Sequence, residues 1–578
     1  MYDRLQPLGV TLSHSGMLYT MDQIAGHFNC ELIDSIVNGK KFRIVGNNIN
    51  FYVGLTHERK SRGNAAHMEH WFGSMAIVQN LSFSHLSHQT PQCDLRALPV
   101  SAFLLEEKDI QILKKNVSHH IARVMAEFFP WMKFAKETAN KPILSVFAEL
   151  PEFSRKNKLI PLPVMSKNEQ KYSDVVDILD SYENLVVSVC NKANVEPTQV
   201  HVGGDQLTRE RFSGAKRLRA AALTEMERFS HLTPITFELF HLQMAVLTVF
   251  YQLLYNTANT EPCTLHAQKI RLLRTDADGK DVKNHFNHCK ELAISFLKAH
   301  IVEEACEQFG VDDCKTVPNI DLPSDGDSIS DWLERVVEPI TDTILNACNP
   351  DNPDIHMEHH DCDTAADYAN LVLQVGVLFM ELNDVVKHPD RDRLLAVLKI
   401  LMVIFKGHNT RSKYALEILR LLCQQFALLS ESQAYSSLYG LFVNTGGKPD
   451  TNSPADLEME HLVRLTKGHL KAMCSNKSES SMRKRSSAFF GMKKICDNFD
   501  NETHIVHRAQ RHKVVSAVDD EMAIIQDLRK IRPFNHVCGR KVASMKRCPK
   551  NPVKRISLEE LQKWIVQNQT KFYYEIGR

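Results

Sequence analysis

Two carboxylates far apart in the chain, Asp205 and Glu460, have the surroundings that metal-assisted chemistry needs. Asp205 falls in TQVHVGGDQLTRER, where the β-like run Val200-His201-Val202 enters Gly203-Gly204 and a charged, helix-forming segment follows. An aspartate at a strand mouth can offer both oxygens to a hard cation, and flanking glycines let a ligand approach. The alternative is a turn in which Asp205 bonds its own backbone. Glu460 falls in SPADLEMEHLVRLTKGHLKAM, whose start predicts a helix with Ser453 as N-cap, Pro454 at N1 and Asp456 at N3 of a capping box. Alone, Glu460 reads as an i,i+4 partner of Arg464, with Lys467 on the same face. Together the two acids suit phosphodiester chemistry, in which two or three carboxylates hold cations about 4 Å apart. Carboxylates that close repel each other unless cations compensate them, so the expected cofactor is Mg²⁺ or Mn²⁺.

A second chemistry lies near the C-terminus. RKIRPFNHVCGRKVASMKRCPKNPVKR carries ten Lys/Arg and no acid. Arg540, Lys541, Lys546 and Arg547 could neutralise the phosphates of a nucleic acid with salt-dependent affinity, or the segment is a solvated basic loop. IHMEHHDCD (His356, His359, His360, Asp361, Cys362) and HFNHC (His285, His288, Cys289) contain zinc-capable side chains. Their spacing fits no standard zinc module, and a solvated loop or an ordinary helix accounts for them. The sequence has no nucleophile elbow, P-loop or dinucleotide fingerprint.

The elements that would position these residues change along the chain. Residues 1–39 read as a helical hairpin with Ser13 capping its second helix, possible in outline as a helix-turn-helix; the pattern begins abruptly, which suggests a missing piece upstream. KKFRIVGNNINFYVGL is strand-like, and 66–86 reads as part extended, part helical. Residues 105–140 are helical, a Pro-rich crossing leads to a helix ending near Cys190, and the Asp205 strand follows. Residues 40–216 thus form the first part of an α/β core, 217–444 a mostly helical insertion, 445–474 a loop and the helix completing the core, and 475–578 a polar linker with a basic, helical C-terminal region.

The composition is globular: of 578 residues, 43% are hydrophobic and 24% charged, enough for about two to four domains. A net charge of +1 excludes a uniformly basic nucleic-acid binder but not a basic patch. The 14 cysteines contain no CxxC pair and no signal peptide is evident, so reduced thiols and a nuclear or cytoplasmic, not secreted, protein are expected. Arg483-Lys484-Arg485 is a short basic cluster of the nuclear-import type. The most apolar runs are broken by polar residues, so no membrane span is expected.

Several blocks resemble the transposon-associated eukaryotic proteins of domain-of-unknown-function family 6589. They are VGGDQLTRERFSGAKRLR, KGHNTRSKYALEILRLL, FVNTGGKPDTNSPADLEMEHLVRLTK and FNHVCGRKVASMKRCPKNPVKRISLEELQKWI, with RLQPLGVTLSHS and EHWFGSMAIVQN nearer the N-terminus. The resemblance implies a transposase-derived protein with a ribonuclease-H-like core interrupted by a large all-α insertion. Asp205 and Glu460 would then be metal-binding acids and DNA the partner. The first acid would come from a block that commonly reads aspartate–asparagine–isoleucine–aspartate; here it reads Asn47-Asn48-Ile49-Asn50. A second departure is His388-Pro389-Asp390, where glycine–aspartate–glycine is usual. With asparagine at 47, the site is expected to be weakened.

Three functions follow. The first is a transposase-derived DNA-binding protein with a degraded two-metal nuclease or strand-transfer site. The second is a non-enzymatic scaffold using the helical block to bind protein partners or a second copy of itself. The third is an active metal-dependent nuclease with an atypical third acid.

Overall fold

The computed structural model describes residues 7, 12–53, 67–323, 328–346, 363–408, 412–472, 479–504, 516–545 and 548–576. The main elements are α1 (His14–Gly26), α2 (Cys30–Val37), β1 (Phe42–Val53), β2 (His67–Val78), α3 (Glu107–Phe128), β3 (Leu159–Met165), α4 (Tyr172–Lys192), β4 (Val200–Gly204), α5 (Gln206–Leu218), β5 (Leu232–Phe237) and α6 (Leu239–Leu254). A helical block then runs through α7 (Phe286–Gln308), α8 (Ile329–Asn346), α9 (Thr364–Lys387), α10 (Arg391–His408) and α11 (Ser412–Cys423). A small hairpin, β6 (Phe442–Asn444) and β7 (Asn452–Pro454), leads into α12 (Ala455–Ala472), followed by α13 (Glu479–Glu502), α14 (Val518–Ile531) and α15 (Leu558–Ile576). The protein is a helix-rich α/β structure around a five-stranded mixed sheet.

The sheet order is β3-β2-β1-β4-β5. β1 pairs antiparallel with β2 from Phe42↔Val78 to Val53↔His67, and parallel with β4 through Arg43↔His201, Ile44↔Val202 and Val45↔Gly203. β4 pairs parallel with β5. The prolines lie only in the edge strands, Pro161 and Pro163 in β3 and Pro234 in β5, where a missing N–H costs the ladder least.

Side chains alternate across β1 and so divide between two faces. Phe42 and Ile44 pack with Val175, Ile178 and Tyr182 of α4 and Phe212 of α5. Val45, Ile49 and Phe51 pack on the opposite face with Met459, Leu462 and Val463 of α12 and Met482 of α13. This alternation aims Asn47 at α12 and Asn48 at the α4–α5 side. The helical block has its own core, in which α9 is long and apolar enough to cross a membrane but has 72% of its most apolar stretch buried inside the protein.

Four expectations are corrected. β5, a strand of the core sheet, lies inside the segment expected to be a mostly helical insertion from 217; Pro234 masked it, as Pro161 and Pro163 masked β3 in the Pro-rich crossing. Residues 67–78 are wholly strand, with no helix described in 66–86. The loop expected over 445–456 contains β7, and the polar linker contains the start of α13. Ser13 does cap α1, accepting the Gly16 N–H at 3.0 Å, but most of the helix expected before Gly9 lies outside the described residues.

Candidate functional site: an acid, amide and imidazole cluster

Asp205 immediately follows β4, and its neighbour β1 carries Asn47 two residues beyond the last parallel pair. Asp205 is the N-cap of α5: its Oδ1 accepts the Thr208 N–H at 2.7 Å. The backbone-bonded reading is therefore right for one oxygen, in a helix cap rather than a turn. Gly203 and Gly204 are strand residues, and neither has a positive φ. A Cβ on Gly203 would collide with the buried Arg43–Glu238 ion pair, and one on Gly204 with Thr208. These glycines make room for packing rather than for an approaching ligand.

Glu460 comes to the same place from α12. Its Oε1 accepts the Asn47 Nδ2–H at 2.8 Å, a contact between residues 413 apart in sequence, and lies 3.6 Å from His241 Nε2. Asn47 Oδ1 accepts the Asn48 N–H at 2.7 Å, which fixes the amide with its donor toward Glu460. Reversing it would set oxygen against carboxylate. Position 47 thus presents an N–H where the family resemblance expects a charged oxygen.

The start of α12 differs from the expected capping box. Ser453 sits in β7 and donates its hydroxyl to Glu458 Oε1 at 2.9 Å. Asp456 instead caps a different helix, α6: its oxygens accept the Phe240 N–H at 2.9 Å, the His241 N–H at 3.0 Å, and contact His241 Nδ1 at 2.8 Å. Burial disfavours a charged His241, but the hydrogen bond and charge of Asp456, then the charges of Asp205 and Glu460, outweigh it and raise its pKa above 6.5. The cluster therefore contains a side chain, His241, that can carry a compensating positive charge. Nothing in FELFHLQMAV marked His241, which reads as one polar residue in an apolar helix.

Glu169, in the loop before α4, is the other residue that sequence reasoning missed. It is 1% exposed and accepts from Asn48 Nδ2 and, at 2.6 Å, from the Thr208 hydroxyl. Burial, and next the charge of Asp205, push its carboxyl up to about 7. Thr208 joins the two acids, since its N–H caps onto Asp205 and its hydroxyl onto Glu169.

The basic segment divides. Arg540 donates to Asp363 at 2.8 and 2.6 Å and to the carbonyls of Ile531, Arg532, Pro533 and Asn535. Asp363 is the N-cap of α9, so Arg540 pins this segment to the helical block, which argues against a role in holding phosphate. Lys541 is exposed, and Lys546 and Arg547 lie outside the described residues. So do His356, His359, His360, Asp361 and Cys362. His285 is the N-cap of α7, Cys289 is buried, and the two histidines of that motif line a cavity beside α12.

One further group, His120, Glu381 and Asp384, has ligand atoms within 4.8 Å of one another. Arg393 already donates to both carboxylates, at 3.0 and 2.8 Å to Glu381 and 2.8 Å to Asp384. A guanidinium there makes the group a buried ion network rather than a place for a metal.

These observations define a helix-rich α/β protein with a carboxylate, amide and imidazole cluster where β1, β4, α6 and α12 meet. The chain belongs to a family of unknown function, DUF6589, whose model matches residues 95–512. Asp205, His241 and Glu460 fall inside the match; Asn47 and the outer blocks fall beyond it. No curated protein and no solved structure matches the chain.

Proposed function

We propose that the protein is a transposase-derived DNA-binding protein with a ribonuclease-H-like core and an impaired two-metal site. The observation that carries this reading is the hydrogen bond from Asn47 to Glu460 at 2.8 Å. It joins the position of the expected first acid to the last, beside Asp205, across an intervening helical block. A strand aspartate and a distant helix glutamate separated by helices is the wiring that the transposase reading requires.

Asp205 and Glu460 would hold Mg²⁺ or Mn²⁺, and each is only partly free to do so. Asp205 has one oxygen committed to Thr208, and Glu460 has Oε1 committed to Asn47. When bound, such a cation would polarise a phosphoryl oxygen and lower the pKa of a water. The donor set fits one cation better than two, because Asn47 contributes neither charge nor a free oxygen. Glu169 is the residue available as an atypical third acid, but Asn48 and Thr208 occupy both its oxygens.

The test is a Mn²⁺ titration by calorimetry of the wild type beside Asp205→Ala and Glu460→Ala. Weak binding that both substitutions abolish supports one metal site. Binding indifferent to both, or none at millimolar Mn²⁺, favours the scaffold reading. That second reading rests on a specific observation: Asn47 donates to Glu460, and His241 lies against Asp456 and Glu460, so these acids already have partners within the fold.

A further inference from the structure

One helix turn from Glu460, a cavity of about 430 Å³ opens between α6, α7, the end of α9, β7 and α12. Phe240, next to His241, lines it from α6, and Leu457 and His461, flanking Glu460 on α12, line it from the other side. Its charged lining is cationic or titratable to a cation: Lys283, Lys290, Lys387, His285, His288 and His461. The volume lies within the range of small-ligand sites.

The charges facing this cavity are not balanced within the fold. Lys290 is half-buried and shares the cavity lining with Lys387, and burial together with that like charge lowers its pKa to about 8. His461 is held by Glu458 at 3.3 Å. Asp281 acts on Lys283 and His285, but its carboxylate is engaged by the Asn284 side chain at 2.7 Å. Among the described residues, Lys290 and Lys387 form no ion pair with a carboxylate. Two ammonium groups lining one cavity, one of them partly desolvated, cost free energy that a bound anion would return.

We propose that this cavity holds phosphate groups of the nucleic-acid strand whose backbone passes the Asp205–Glu460 cluster, with Lys290 and Lys387 as the principal contacts. This rests on the reading of the cluster given above. The adjacent carboxylates repel an anion, so a phosphodiester strand needs a cationic anchor beside them. A strand also supplies phosphates at regular spacing, whereas a lone phosphate or nucleotide would fill only the cavity.

The experiment measures binding of a fluorescent single-stranded 20-mer, and separately of inorganic pyrophosphate, to the full chain over a range of salt. The proteins are wild type, Lys290→Gln/Lys387→Gln, Lys541→Gln as a basic control, and Asp205→Ala. The expected result is at least tenfold weaker strand binding for the double variant, with the slope of log affinity on log salt reduced by roughly one to two units. Lys541→Gln should change affinity less than threefold, and Asp205→Ala should leave the lysine dependence intact. Thermal melts establish that the double variant is folded, and Lys387→Gln alone, at an exposed position, repeats the test at smaller amplitude. Strand binding unchanged in both lysine variants overturns the proposal while leaving nucleic-acid binding standing. Lysine-dependent pyrophosphate binding with no strand binding at low salt overturns it as well, and contradicts the DNA-binding reading. Loss of Mn²⁺ binding in Asp205→Ala is read separately, so the two proposals fail independently.

Discussion

Two regions of this protein gather the same residue types and treat them in opposite ways. In the helical block, Glu381 and Asp384 meet His120 and Arg393. Burial opposes their ionisation, but the charges and hydrogen bonds of His120 and Arg393 win; Glu381 is lowered and Asp384 falls to about 2. In the cluster at the strand ends, Glu169 is bonded by Asn48 and Thr208, and burial with the charge of Asp205 outweighs those bonds and the charge of Arg211, pushing it up to about 7. The first group is neutralised by a residue dedicated to that task. The second has an amide, an imidazole and only the lesser influence of Arg211 against its acids. Carboxylates whose hydrogen bonds come from amides, hydroxyls and an imidazole rather than from a guanidinium mark where an outside cation would have the most to gain.

The largest effect that sharpens this contrast is expected from Arg393→Ala. It removes the guanidinium shared by two buried carboxylates, leaving His120 against Glu381 and Arg123 against Asp384, and should cost about 3 kcal/mol in urea unfolding. A loss below about 1 kcal/mol would show that the network does not hold the helical block together. Next comes pH. Glu169 has its folded pKa raised, so the folded state binds the extra proton, and stability falls as pH rises from about 4.5 to 7. Glu169→Gln should remove up to about 3 kcal/mol of that slope. Asp384 has the opposite sign: its contribution is present above pH 3.8 and is lost as pH falls toward 2. Parallel pH–stability curves for wild type and Glu169→Gln would break the comparison.

Asn47→Asp should have a smaller effect on stability. It exchanges a hydrogen bond to Glu460 for a like charge, and should cost about 2 kcal/mol in chelator. Mn²⁺ at 100 times its Kd should return about 2.7 kcal/mol. Melting curves with and without Mn²⁺ measure both terms. Ser453→Ala should be the mildest, about 1 kcal/mol, because Ser453 is not an N-cap and its hydroxyl loses only its bond to Glu458 at 2.9 Å and a longer one to the Val443 carbonyl at 3.3 Å.

What the sequence revealed depended on whether a signal was local. Ser13 was legible as a cap because capping is decided within four residues. β1 and β4 were legible from alternation, and the pairing of Asp205 with Glu460 as candidates came from their setting and the family resemblance. β3 and β5 were hidden because their prolines, acceptable only at a sheet edge, read as breakers until the strand order is known. The capping box failed because Asp456 caps α6, 215 residues away, in place of its own helix. Glu169 and His241 had no local signal, since their pKa shifts are created by burial and by charges brought from other elements. Arg540 looked like a phosphate contact because a basic run does not reveal that Asp363 waits for it.

The central claim is that an amide at position 47 has taken the place of a metal-binding charge. It is tested most directly by calorimetric Mn²⁺ titration of Asn47→Asp against the wild type, with Glu460→Ala added to each. The account predicts at least tenfold tighter binding in Asn47→Asp and loss of that gain when Glu460 is removed. Equal affinities in wild type and Asn47→Asp, or a gain that survives Glu460→Ala, would contradict it.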